Sequence, residues 1–166
     1  MLVFESIIFH ETDLPFGRGG SPIQNLIIDG HYKTKISAIE CSEILDSGDI
    51  YLQEDYDLSD GSAQEIYEGI SNIVFSKMIP SILDKRPQLR KQVGEVTLFK
   101  RRNQEQSNLQ SIGELSLVKL YDFIRMLDAQ SYPRAFLELD KYKIELSGVS
   151  IKKNKLIGRF EIDEKE

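Results

Sequence analysis

A loop, rather than a regular element, most constrains what this chain can fold into. Residues 10–20, HETDLPFGRGG, lie between a short apolar run at residues 5–9, ESIIF, and the helix start Ser21-Pro22. The branched side chains of the run suit a buried strand. Ser21 and Pro22 fit an N-cap and a first helical position, Ile23, Leu26 and Ile27 form an apolar stripe, and Gly30 supplies a stop. A strand that feeds a charged, glycine-rich loop and then a helix is the local plan of an α/β ligand crevice, where polar side chains gather at strand ends.

The chain downstream supports that plan. TKISAIECSE (34–43) carries Ile36, Ala38 and, less cleanly, Cys41 in alternation and reads as a strand; LDSGD is a turn; IYLQEDYDL is a second alternating strand. Ser62 and Glu65 have capping-box spacing. The helix behind them carries Ile66, Ile70, Ile73, Val74, Met78 and Ile82, and Pro80 is expected to kink or break it. After Pro87 the chain turns polar and basic, with one strand-like piece at Val96–Phe99. A helix over 114–127 is expected to bury Leu117, Leu120, Tyr121, Ile124 and Leu127. Three strands follow, AFLELD, KYKIELSGVSI and LIGRFEI, with KKNK as the last turn. The expected organisation is α/β over 1–87, a linker over 88–113, and a small α+β, β-rich unit over 114–166.

Composition narrows the function classes. A net charge of −6 over 166 residues leaves no dominant basic face for nucleic acid, although a local patch is compatible with it. Cys41 is the single cysteine, so neither a disulfide framework nor a cysteine metal site is expected. The N-terminus lacks the marks of a signal peptide and no run approaches bilayer length, giving the expectation of a soluble cytoplasmic protein with no membrane partner.

Within this frame His10 leaves a strand end and Asp46 sits in a turn between strands. If the strands at 5–9 and 34–41 are neighbours, both side chains reach one crevice, and a histidine beside a carboxylate can carry a proton or stabilise an oxyanion. Spacing alone favours the plainer reading, an ordinary loop histidine and a turn aspartate chosen for its side-chain hydrogen bonds. GRGG lacks a nucleotide-binding spacing and reads as a tight turn. His31 reads as an isolated surface residue. Glu11 and Asp13 lack visible partners for a metal, and the KRR at 100–102 reads as a solvated charge run.

Taken together, FHETDLPFGRGGSPIQNLIIDG resembles the central signature of the folate-dependent formyltransferases, of the methionyl-tRNA and sugar N-formyltransferase kind. That signature runs Asn-x-His, then Leu-Pro with the proline five residues past the histidine, Arg-Gly, and Pro-Ile-Gln opening a helix. EILDSGDIY is similar to its Leu-Asp-[Thr/Ser/Ala]-Gly turn. KRRNQEQSNL with LYDFIRMLDAQSYPRAFLEL is similar to the linker and C-terminal domain of the methionyl-tRNA enzymes. The resemblance implies N10-formyltetrahydrofolate as donor, a primary amine as acceptor and no metal. It also implies His10 and Asp46 as catalytic residues, Leu14, Pro15 and Asp46 at the donor, and Arg18, Gly19, Gly20 and Ser21 at the acceptor. Initiator methionyl-tRNA is the first acceptor implied, with a nucleotide-linked amino sugar as the alternative.

Two departures accompany it. The asparagine position is Ile8, which cannot donate a hydrogen bond to an oxyanion. The chain also opens at the Asn-x-His strand, where the family places a Rossmann-like half. A truncated reading of a longer gene is the first expectation, ahead of a degenerate remnant or one half of a split enzyme. The strand at 5–9 is then expected to expose an edge, inviting self-association or a complementing N-terminal half. A non-catalytic binding fragment is the third functional expectation.

Overall fold

The computed structural model describes residues 6–114, 116–130 and 132–165, so Glu5 of the first expected strand lies outside the described residues. Strand β1 (Ile7–His10) pairs antiparallel with β3 (Lys33–Glu40), which pairs antiparallel with β4 (Ile50–Asp57). The two alternating runs therefore form the hairpin the sequence predicts, and β1 lies beside them at the sheet edge. The expectation of a buried first strand is corrected: Ile7 and Phe9 are only partly covered and Ile8 is 36% exposed. An apolar run specifies a strand but not how many neighbours that strand finds.

Pleating gives the sheet two faces. Ile36 and Ala38 join the main core with helix α1 (Pro22–Ile28) and helix α2 (Ala63–Ile73). On the other face Ile39 forms a small cluster with Ile50 and Leu14. Helix α1 ends in a left-handed Gly30, with the amide of His31 reaching back to Leu26 O at 2.8 Å. The capping box at Ser62 and Glu65 forms at the start of α2. Pro80 breaks the following helix in a specific way. Val74–Met78 is π-helical, and α3 (Ile79–Lys85) then starts with the proline in its first positions. A proline has no N–H to give and its ring crowds the carbonyl four residues back, and the wider π-turn accommodates both.

The segment after Pro87 returns to the first sheet. Arg90 exchanges backbone hydrogen bonds with Ile50, and β5 (Leu98–Phe99) pairs parallel with β2 (Arg18–Gly19) inside the glycine-rich loop. Helix α4 (Leu117–Arg125) is shorter than expected, and of the expected set Ile124 and Leu127 are fully buried. Leu117, Leu120 and Tyr121 are half-buried, whereas Asp122, Phe123, Ile124, Arg125, Met126 and Leu127 are buried. The charged pair Asp122–Arg125 enters the interior because each satisfies the other, which an apolar stripe cannot foretell. Strands β6 (Ala135–Glu138), β7 (Tyr142–Lys152) and β8 (Lys155–Glu164) form an antiparallel sheet. Its last turn places Lys153 and Asn154 at positive φ, the backbone a two-residue hairpin requires. Phe123, Ile124, Leu127 and Ala135 share the core of α1 and β3, so one apolar interior runs across the expected boundary near residue 113. The chain is thus a mixed helix-and-strand fold of small sheets. No helix among the described residues is long and apolar enough to cross a membrane.

Candidate functional site

His10 ends β1 on the same face as Ile8, two residues earlier, and opposite Ser37 of β3. Both His10 and Asp46 are buried, at 5% and 8% exposure. The Asp46 backbone is left-handed, at φ 51°, which turns its carboxylate inward from the β3–β4 connection. One carboxylate oxygen, Oδ2, accepts the Gly19 amide at 2.8 Å and lies 3.6 Å from His10 Nδ1. On its other side the ring makes a 2.8 Å contact between Nε2 and the Gly17 carbonyl, with Nε2 as the donor. Both ring nitrogens thus face oxygen acceptors.

The loop is held in place by the segment that the sequence presents as a linker. Thr97 Oγ1 accepts the Gly17 amide at 2.6 Å, and the Arg18 amide donates to Thr97 O. Gly17 sits at φ 73° with the Phe99 ring where a Cβ would stand, so a side chain here would push the loop off its brace. Gln92 donates to the carbonyls of Asp46 and Gly48, both at 2.8 Å, and its Oε1 accepts a fork from Arg18 at 3.1 and 2.6 Å. One neutral side chain therefore fixes both the Asp46 backbone and the Arg18 guanidinium.

The other expected residues are distributed around this pair. Gly19 touches Asp46 directly, while Arg18 is turned onto Gln92. Gly20 packs against Arg101, leaving no room for a Cβ. Leu14 is buried with Ile39 and Ile50, and Pro15, joined to it by a cis peptide bond, is also buried. Ser21 occupies the N-cap position of α1 but is left-handed and makes no cap; its hydroxyl instead lies 3.0 Å from the Tyr132 hydroxyl and accepts the Arg102 amide at 3.1 Å. His31 is exposed, with its ring edge-on to Phe16 at 5.3 Å. Among the described residues no group of three His, Cys, Asp or Glu side chains is placed to hold a metal ion.

Sequence reasoning assigned three residues of the site no role beside His10 and Asp46. Gln92 and Thr97 lie in a polar stretch whose return to the loop depends on a two-residue strand pair. Glu11, next to His10, is the third. Burial pushes its carboxyl above the ordinary value, the His10 charge lowers it, and Asp46 raises it further. The carboxyl of Glu11 also helps to raise Tyr67, chiefly a burial effect, and the Tyr67 hydroxyl accepts from Gln24 at 3.0 Å.

Residues 104–163 match the family described as "Methionyl-tRNA formyltransferase, C-terminal domain". A methionyl-tRNA formyltransferase from Clostridium thermocellum superposes with a TM-score of 0.93 at 51% identity, over 98% of this chain and 70% of that one. The methionyl-tRNA formyltransferase of Mycoplasma mycoides is 31% identical over 150 residues, 87% of this chain and 47% of its own length. The chain thus spans about half the length of the curated relatives it matches. HypX from Aquifex aeolicus, solved in complex with tetrahydrofolic acid, shares the fold with a TM-score of 0.65 at 16% identity, covering 92% of this chain and 28% of that one. At 51% identity to the Clostridium thermocellum enzyme, 70% of whose chain it covers, the chain belongs to the methionyl-tRNA formyltransferase family.

Proposed function

We propose that this chain takes part in moving the formyl group of N10-formyltetrahydrofolate to the primary amine of methionyl-tRNA, with His10 and Asp46 as the catalytic residues. The buried His10–Asp46 pair, braced by the Gly19 amide, carries the reading. In the reaction the amine nitrogen bonds to the formyl carbon and the carbonyl π electrons move onto oxygen. The tetrahedral oxyanion then collapses, the carbon–N10 bond breaks, and the proton leaving the amine ends on N10. His10 supplies a donor to the oxyanion, and Asp46 fixes the ring and balances its charge. For Nε2 to serve, its hydrogen bond to the Gly17 carbonyl must be exchanged for the substrate oxygen, so loop 10–20 is the part that adjusts on binding.

In this reading Leu14, Pro15 and Asp46 line the donor side, and Arg18, Gly19, Gly20 and Ser21 the acceptor side. A run of three cations adjoins that second group: Arg101 packs on Gly20, the Arg102 amide binds Ser21, and the Lys100 carbonyl accepts from Asn25. Lys100 and Arg101 are exposed and so available to phosphates, whereas the Arg102 guanidinium is partly buried and donates to the Gln106 carbonyl. We read β1, β3 and β4 as the margin of a Rossmann-like sheet, and the edge of β1, unpaired among the described residues, as the place where a complementing N-terminal half joins it.

The net charge of −6 favours a second acceptor, a nucleotide-linked amino sugar, over a large polyanion. Filter binding of charged tRNA across a salt series, with formyl-transfer assays on both acceptors, separates the two. The tRNA reading predicts salt-dependent binding and transfer to methionyl-tRNA. Transfer to the amino-sugar nucleotide alone moves the assignment to the second acceptor, and transfer to neither contradicts both.

A further inference from the structure

Two links join the loop at residues 10–20 to the turn that carries Asp46. One is direct: the Gly19 amide donates to Asp46 Oδ2 at 2.8 Å. The other runs through Gln92, which belongs to neither segment. Its Oε1 accepts Arg18 Nε at 3.1 Å and Nη2 at 2.6 Å, and its Nε2 donates to the carbonyls of Asp46 and Gly48, each at 2.8 Å. A guanidinium can only donate and a backbone carbonyl can only accept, so these four bonds fix which end of the amide faces which segment. Gln92 is held there by its own neighbours. Arg90 exchanges backbone hydrogen bonds with Ile50, and Lys91 pairs with Asp49 at 2.8 Å.

The turn needs this hold. Asp46 is a non-glycine residue at φ 51°, a backbone that its surroundings have to enforce. On the far side the turn has little slack, because Gly48 packs so closely on the Glu40 carbonyl that no Cβ fits. The histidine pair depends on where the turn sits. Oδ2 of Asp46 lies 3.6 Å from His10 Nδ1, just beyond a normal hydrogen bond, so a small displacement of the Asp46 backbone makes or loses that contact.

We infer that Gln92 is a positioning residue for formyl transfer, setting the Asp46 carboxylate against His10 while the same amide holds the Arg18 guanidinium on the acceptor side. The inference rests on the catalytic reading of His10 and Asp46. Two substitutions separate the two halves of the amide. Glutamate has the same shape and keeps the fork to Arg18, but sets a carboxylate oxygen against two carbonyls, so it releases Asp46 alone. Alanine releases both.

Nuclear magnetic resonance of the isotope-labelled full chain tests this. Lys91→Ala, which removes only the exposed ion pair to Asp49 in the same segment, is the control. Gln92→Ala is expected to speed hydrogen exchange at the Gly19 amide and at Arg18 Nε–H by about tenfold, and Gln92→Glu at Gly19 alone. The His10 Nδ1 resonance senses the oxygen beside it. It is expected to move in both Gln92 variants and in Asp46→Asn, and to stay in place in Lys91→Ala. A role in stability alone would lower the melting temperature without moving that resonance. In the formyl-transfer assay both Gln92 variants are expected to lower kcat by about tenfold, the cost of a misplaced catalytic group. An unmoved His10 resonance in Gln92→Ala would overturn the inference, as would a Gly19 amide that keeps its protection in either variant or a kcat that does not fall. Where the wild type transfers no formyl group, the catalytic reading falls, and the resonances still decide whether Gln92 places Asp46.

Discussion

Ile8 stands on the face of β1 that carries His10, paired with the buried Ile39 and partly open on its outer side. An amide at this position would point into the same space as the imidazole. Ile8→Asn is therefore expected to supply an oxyanion donor and raise the turnover rate by about 100- to 1,000-fold, the worth of one preorganised donor. A steady-state kcat for the variant, with KM little changed, checks this. Glu11 makes a second prediction. Its carboxyl is raised above 4.5, mainly by burial, so folding disfavours the charged form. The stability associated with the neutral form is present in full below the unfolded value and is lost as pH rises through the folded one. Glu11→Gln should accordingly be more stable than wild type near pH 7 and match it near about pH 4, which denaturant melts at the two pH values will report. His10 and Asp46 are legible as a pair through the resemblance of the two motifs that carry them, since their placement at a strand end and in a turn favours the plainer reading. The sequence did not reveal Gln92 or Glu11, since a neutral side chain or a carboxylate in a polar stretch gains its role only from what folds over it.

At the scale of elements, the hairpins, the α2 capping box, the Pro80 break and the last turn follow from local rules, and local rules were enough to read them. The return of β5 onto β2 did not follow, because a two-residue parallel pair leaves no period to detect. Helix α4 differs from its expected apolar stripe for another reason. Its buried face includes Arg125, which donates to Asp122 at 2.8 Å and to the carbonyls of Leu58 and Gly61 at 2.7 and 2.9 Å. Asp122 in turn accepts from Tyr32 at 2.6 Å. These bonds tie α4 to the β4–α2 connection and to the residues after α1, so the helix is anchored by polar groups that a hydrophobic pattern discounts. Arg125→Met leaves Asp122 buried without its cation and is expected to cost about 3–5 kcal/mol. Urea unfolding measures this, and a loss below about 1 kcal/mol would show that water replaces the pair.

Over the whole molecule, one apolar cluster links α1, β3, α2 and α4. The site itself lies where the first sheet, the glycine-rich loop and the returning segment meet, so its geometry depends on contacts between residues some 80 positions apart, such as Gly17 with Thr97. The central claim is that the His10–Asp46 pair performs formyl transfer. Transfer of labelled formyl from N10-formyltetrahydrofolate to methionyl-tRNA, compared among wild type, His10→Ala and Asp46→Asn, tests it most directly. The account predicts measurable transfer by the wild type and a fall of at least about 100-fold in each variant with the fold intact. Transfer that survives both substitutions unchanged would contradict it.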